Sequence, residues 1–151
     1  MLVPVEKRRY IRVTLQRRGF EMSRTVLVID DDEENLQVIG LILRKLGYTA
    51  IMINNGWDAL DVIREERPDL ILLDLMMRPI DGWQFLDELK KDGLDGIPVI
   101  IFTAKYVSEE EIAKYRGDIS LILQKPITLQ ELRGVLSEFF SEEQVLKSEF
   151  R

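Results

Sequence analysis

The sequence predicts an α/β domain, a doubly wound parallel sheet of five strands with helices on both faces. Three observations carry that expectation. Five short apolar runs alternate with segments of helical period, each run stops at a polar residue, and turn or cap residues separate the units. Strand and helix alternating in this way imply parallel pairing with right-handed crossovers.

The first run, Thr25-Val-Leu-Val-Ile29, is continuously apolar, as a strand covered on both faces should be, and ends at Asp30-Asp31-Asp32. Leu36, Ile39, Leu43 and Leu46 then recur at helical spacing up to Gly47, a good helix stop. Tyr48 to Ile53 reads as the second strand, Asn54-Asn55-Gly56 as a turn, and Trp57 to Glu66 as the second helix, closed before Pro68. Leu70 to Leu73 is a third strand ending on Asp74, followed by the loop Arg78-Pro79-Ile80-Asp81-Gly82 and a helix bearing Phe85, Leu86 and Leu89. Val99 to Phe102 is a fourth, ending on Thr103. Ser108 with Glu111 has the spacing of a capping box for a short helix. Leu121 to Leu123 is a weaker fifth strand ending near Lys125-Pro126, and Thr128 with Glu131 caps a last helix whose Leu132, Leu136 and Phe139 share a face.

With 151 residues there is room for one domain, and the organisation reads as a basic leader (1–24), a core domain (25–140) and a helical extension or tail (141–151). The net charge of -6 is unevenly spread: the leader holds seven basic and two acidic residues, so the remainder carries 14 basic and 25 acidic. The leader has three open readings. It is disordered, or lies upstream of a natural start at Met22, or adds a strand through the alternation of Ile11, Val13 and Leu15 with Arg12, Thr14 and Gln16. Without Cys or His the chain has no disulfides, thiolate or imidazole metal sites, and no Ser-His or Cys-His catalysis. No secretory signal and no membrane-length apolar run is evident, so the expected location is the cytoplasm. Trp57 and Trp83 read as partly buried packing residues, Met76 and Met77 as loop packing, and Glu109 to Glu111 as a helix start.

Ligands of open parallel sheets bind beyond the carboxyl ends of the strands. Asp30, Asp31, Asp74, Thr103 and Lys125 all stand at such ends. A single Asp there is usually a cap or turn residue. Three carboxylates converging on one edge would repel one another unless a cation joined them, and a hard divalent ion, Mg²⁺ above all, suits oxygen ligands while leaving positions for phosphate oxygens. Lys125 would add a point charge and Thr103 a hydroxyl donor.

From Thr25 to Phe140 the chain resembles the receiver domain of two-component response regulators, of the chemotaxis-regulator type. The matching stretches are V-L-V-I-D-D-D (26–32), N-G-W-D-A-L (55–60), L-I-L-L-D-L-M-M (70–77), D-G (81–82), I-I-F-T-A (100–104) and Q-K-P (124–126). The resemblance implies a flavodoxin-like three-layer fold with strand order 2-1-3-4-5. It implies that Asp74 is the phosphoacceptor, that Asp30, Asp31, Asp74 and the Met76 carbonyl bind Mg²⁺, and that Thr103, the Ala104 N–H and Lys125 bind the phosphoryl oxygens. The implied partners are a sensor histidine kinase or phosphotransfer protein, a downstream protein effector and a second copy of the chain; neither nucleic acid nor membrane is expected. Such a domain is a phosphorylation-dependent switch, catalysing only its own phosphoryl transfer and slow autodephosphorylation.

Three features depart from the family pattern. Arg78 stands where Pro usually follows the second Met, and Ile122 stands where many receivers carry a Tyr or Phe that rotates on activation. Met76 and Lys105, flanking the site, are poorly suited to orient an attacking water, so autodephosphorylation should be slow. Ile122 and the altered loop keep a second class open, a phosphorylation-independent adaptor on the same fold, against which the intact acidic site argues. A third, a haloacid-dehalogenase-like phosphatase, requires its distal acidic motif after the Lys, whereas Asp74 precedes both Thr103 and Lys125.

Overall fold

The computed structural model describes residues 11–13 and 23–149. Strand β1 is Ile11–Val13, β2 Thr25–Ile29, β3 Thr49–Ile53, β4 Leu70–Leu73, β5 Val99–Thr103 and β6 Leu121–Gln124. The helices are α1 Glu33–Lys45, α2 Gly56–Glu66, α3 Gly82–Lys91, α4 Glu109–Tyr115 and α5 Leu129–Glu149. The sheet order is β1-β3-β2-β4-β5-β6. β2 to β6 are the five expected parallel strands in the order 2-1-3-4-5.

The leader makes the sheet one strand larger than five. β1 runs antiparallel to β3, with Ile11, Arg12 and Val13 opposite Met52, Ile51 and Ala50. β3 would otherwise offer an open row of backbone donors and acceptors, and the alternating stretch of the leader fills it. Leu15 and its neighbours, part of the same alternation, lie outside the described residues.

Burial follows the period of two. Leu27, Ile29, Ile51, Ile53, Ile71, Leu73, Val99 and Ile101 face α2 and α3, where Ile63, Phe85 and Leu89 complete one core. Val26, Val28, Ala50, Met52, Leu70, Leu72, Ile100 and Phe102 face α1 and α5, meeting Leu36, Leu43, Leu132 and Leu136. Side chains buried this fully each contribute roughly 1.5–3 kcal/mol of transfer free energy.

Caps set the helix ends. Asp32 accepts from the N–H groups of Glu34 and Asn35, and Asn55 from that of Asp58, so the expected Asn-Asn-Gly turn is also the start of α2. Gly47, at φ 91°, turns the chain out of α1 in the left-handed conformation that glycine adopts without a Cβ clash. Asp81 with Gln84, and Ser108 with Glu111, form capping boxes. Thr128 and Glu131 exchange the same reciprocal bonds, at 2.9 and 3.1 Å.

Candidate functional site

The chain leaves β2 for β3 on one side and returns to β4 on the other, so the crevice of the sheet opens between the carboxyl ends of β2 and β4. The next residue of each strand is an aspartate. Ile29 pairs with Leu73, and the Asp74 N–H donates to the Ile29 carbonyl at 3.0 Å, so strand register sets Asp30 and Asp74 side by side. Both are buried, at 3% and 6% exposure, while Asp31 is open to solvent. One carboxylate oxygen from each of the three lies within 4.8 Å of the others.

Lys125, one residue past β6, spans the pair: its Nζ lies 2.5 Å from Asp30 Oδ2 and 3.2 Å from Asp74 Oδ2. Its backbone N–H donates to the Thr103 carbonyl at 2.9 Å, tying the cation to β5. Burial foremost, with the Asp74 charge added, pushes the Asp30 carboxyl above its ordinary range, although Lys125 and the Asp32 N–H pull it down. Burial would lower the Lys125 ammonium, but its bonds to Asp30 and Asp74 raise it, so it stays charged. One ammonium against three carboxylates leaves a concentrated negative charge in a partly dry crevice. Oxygen donors of that kind, two buried and one open to solvent, fit a hard divalent cation such as Mg²⁺.

The remaining sequence candidates fall around this cluster. Thr103 closes β5 as a buried residue whose Oγ1 accepts from the Lys105 N–H at 3.1 Å, leaving its hydroxyl proton to donate elsewhere. Ala104 follows it at the surface, its carbonyl accepting from Gln124 Nε2 at 3.4 Å. Met76 lies on the turn after Asp74, its N–H directed at Asp74 Oδ1 at 3.3 Å and its side chain exposed. Met77, by contrast, is packed in the core. Arg78 and Pro79 are exposed on the same loop.

Gly82 brings the start of α3 against this turn. Its N–H donates to the Leu75 carbonyl at 3.0 Å, and a Cβ there would meet the Asp74 carbonyl oxygen at 2.6 Å. That close approach explains the Asp81-Gly82 pair in chemical terms: Asp81 caps, Gly82 yields space.

A second polar cluster escapes a reading by motif. Glu111 Oε1 accepts from Lys105 Nζ at 2.7 Å and from Trp83 Nε1 at 3.0 Å, while Oε2 accepts from the N–H and hydroxyl of Ser108. The bond from Lys105, and then that from the Ser108 N–H, holds the Glu111 carboxyl down at about 2. Sequence spacing yields the Ser108–Glu111 cap but gives no sign of Trp83, 28 residues upstream. Trp57, expected to be partly buried, is instead 46% exposed, because its place in the first turn of α2 lies off the face that carries Ala59, Leu60 and Ile63 inward.

Comparison with known proteins converges on one family. The family model described as response regulator receiver domain matches residues 26–137. The chain is 31% identical over 122 residues to the polar-differentiation response regulator DivK of Brucella anthropi, covering 80% of this chain and 99% of that protein. It is 34% identical over 111 residues to the response regulator MprA of Mycobacterium bovis, where the match covers 74% of this chain and only 48% of the relative. Among solved structures, the N-terminal domain of a response regulator receiver protein from Methanoculleus marisnigri superposes with a TM-score of 0.65 at 36% identity, covering 76% of this chain and 94% of that one. The chemotaxis protein CheY4 of Vibrio cholerae shares the fold, with a TM-score of 0.70 at 23% identity, over 78% of this chain and 98% of that one.

Proposed function

The chain belongs to the response regulator receiver domain family, and from that membership we propose that it is a phosphorylation-dependent switch whose phosphoacceptor is Asp74. The observation that supports this most is the pair Asp30 and Asp74, buried at adjoining strand ends, bridged by the partly buried Lys125 and flanked by a third carboxylate. A structural ion pair would need one carboxylate, not three.

In the proposed reaction an Asp74 carboxylate oxygen attacks the phosphorus of a phosphohistidine. The new O–P bond forms as the P–N bond breaks, and the electron pair and a proton go to the departing imidazole. These 151 residues contain no His, so the donor phosphohistidine lies outside them, in a sensor kinase or phosphotransfer protein. Asp30, Asp31, Asp74 and the Met76 carbonyl would hold Mg²⁺, which supplies charge neutralisation for the phosphoryl oxygens. Lys125 leaves its carboxylate partners to pair with the new oxygens, and the Thr103 hydroxyl and Ala104 N–H donate to them. The expected location is the cytoplasm, where such kinases present their phosphohistidine; no helix among the described residues is long and apolar enough to cross a membrane.

Incubation with acetyl phosphate and Mg²⁺, read by intact mass, tests the proposal. One added phosphoryl group, absent in Asp74→Asn, is the expected result. No adduct at saturating Mg²⁺ would overturn it in favour of an adaptor that binds its partner without phosphorylation.

A further inference from the structure

We propose that Trp83, Glu111 and Lys105 form a latch that transmits the state of the phosphoacceptor site to α4, in place of the aromatic ring missing at Ile122. The inference rests on phosphorylation of Asp74.

Two short paths leave the site and meet at one carboxylate. On the β4 side, the Leu75 carbonyl accepts from the Gly82 N–H, and Trp83 is the next residue. On the β5 side, Thr103 Oγ1 accepts from the Lys105 N–H, and the Lys105 ammonium reaches Glu111. Glu111 Oε1 takes both the indole N–H and the ammonium, while Oε2 is fixed to Ser108 at the start of α4. A shift of either loop therefore changes a bond to the same side chain.

α4 has little else to hold it. Tyr115 is its one buried residue, and that ring stacks on Trp83 at 4.5 Å between centroids, with its hydroxyl donating to Asp87 of α3. Trp83 thus seats the helix at two points, Glu111 and Tyr115, one turn apart. Ile122 packs beside the same core but has no polar group to enter the network.

A phosphoryl group on Asp74 adds negative charge and acceptor oxygens. When Thr103 turns its hydroxyl to those oxygens, the Lys105 N–H that bonds Oγ1 moves with it, and the half-exposed ammonium gains a competing anion. Lys105 then parts from Glu111, and the first turn of α4 loses one of its two outside anchors. The shift acts on a population already in equilibrium rather than creating a new fold.

The chain has two tryptophans, so Trp57→Phe leaves Trp83 as the sole indole reporter. In that background, addition of acetyl phosphate and Mg²⁺ is expected to change Trp83 emission and speed amide exchange across 108–115 in step with the mass adduct. Glu111→Gln keeps an acceptor for Trp83 and removes the charge that holds Lys105. It is expected to take the same adduct, which also shows it is folded, while losing the emission and exchange response. An adduct with unchanged emission and exchange in the parent would overturn the latch, as would a full response in Glu111→Gln. No adduct in the parent overturns the phosphoacceptor reading itself.

Discussion

The two sides of the sheet are built to different standards. Every residue of β3, β4 and β5 is buried, as is all of β2 but Thr25, and α2 and α3 press Ile63, Phe85 and Leu89 into that surface. Beyond β5, β6 has no buried residue and α4 has one. Asp30 and Asp74 stand on the dense side; Lys125 reaches them from the thin side. Regions with few buried apolar contacts open at lower free energy than the core, so a change of charge at the junction is expressed where resistance is least. Under the proposed reading, the dense side is the rigid place that would bond a phosphoryl group and the thin side the soft place that would show it.

The largest effect should come from attacking the dense side. Phe85→Ala is expected to cost roughly 3–5 kcal/mol, whereas Leu123→Ala, in half-buried β6, should cost less than about 2 kcal/mol. Urea unfolding of both variants measures the contrast, and equal losses would erase it. Next comes the seam itself. Gly82→Ala sets a Cβ against the Asp74 carbonyl oxygen, which is backbone and cannot swing away. The overpacking should cost about 1–3 kcal/mol and slow the phosphoryl adduct more than Phe85→Ala slows it at matched folded fraction.

Smaller still is loss of a cap on the thin side. Ser108→Ala is expected to cost about 1 kcal/mol, with faster amide exchange confined to α4 while α2 and α3 keep their protection. The smallest effects are two pH responses of opposite sign. The Glu111 carboxyl sits at about 2 in the folded chain, below its ordinary value, so its contribution is complete above the carboxylate range, declines as pH falls below that range and is lost once pH has passed through about 2. Burial raises Asp30 instead, so its ionisation opposes folding. Asp30→Asn should therefore raise Tm at neutral pH, and the gain should vanish as pH drops below the carboxylate range. Thermal unfolding across that range separates the two.

Legibility in the sequence follows the same divide. Continuous apolar runs flanked by Asp or Thr announce β2, β4 and β5 and with them Asp30, Asp74 and Thr103, because strand ends in a parallel sheet converge by topology alone. Lys125 was legible for the same reason despite the weakness of its strand. Residues whose role depends on a specific tertiary contact were not. Trp83 reads locally as an apolar residue near a helix start, and only the approach of α3 to α4 turns its indole toward Glu111. Trp57 holds the equivalent place in α2, yet among the described residues it stays 46% exposed. The β1 alternation was visible, but nothing local distinguishes a strand that finds an edge from one that does not.

That three-residue strand has a further consequence. By pairing with β3 it replaces a five-residue edge with a shorter one running the opposite way, and very short edges are poor templates for another chain. Among the described residues, the longer of the sheet's two margins is then β6, four residues whose end positions, Leu121 and Gln124, are both exposed. A strand extending this sheet, from a second copy or from an aggregating neighbour, would find the longer template there. Among the described residues, then, the margin remote from α4 is the shorter template and the margin next to α4 keeps the longer one.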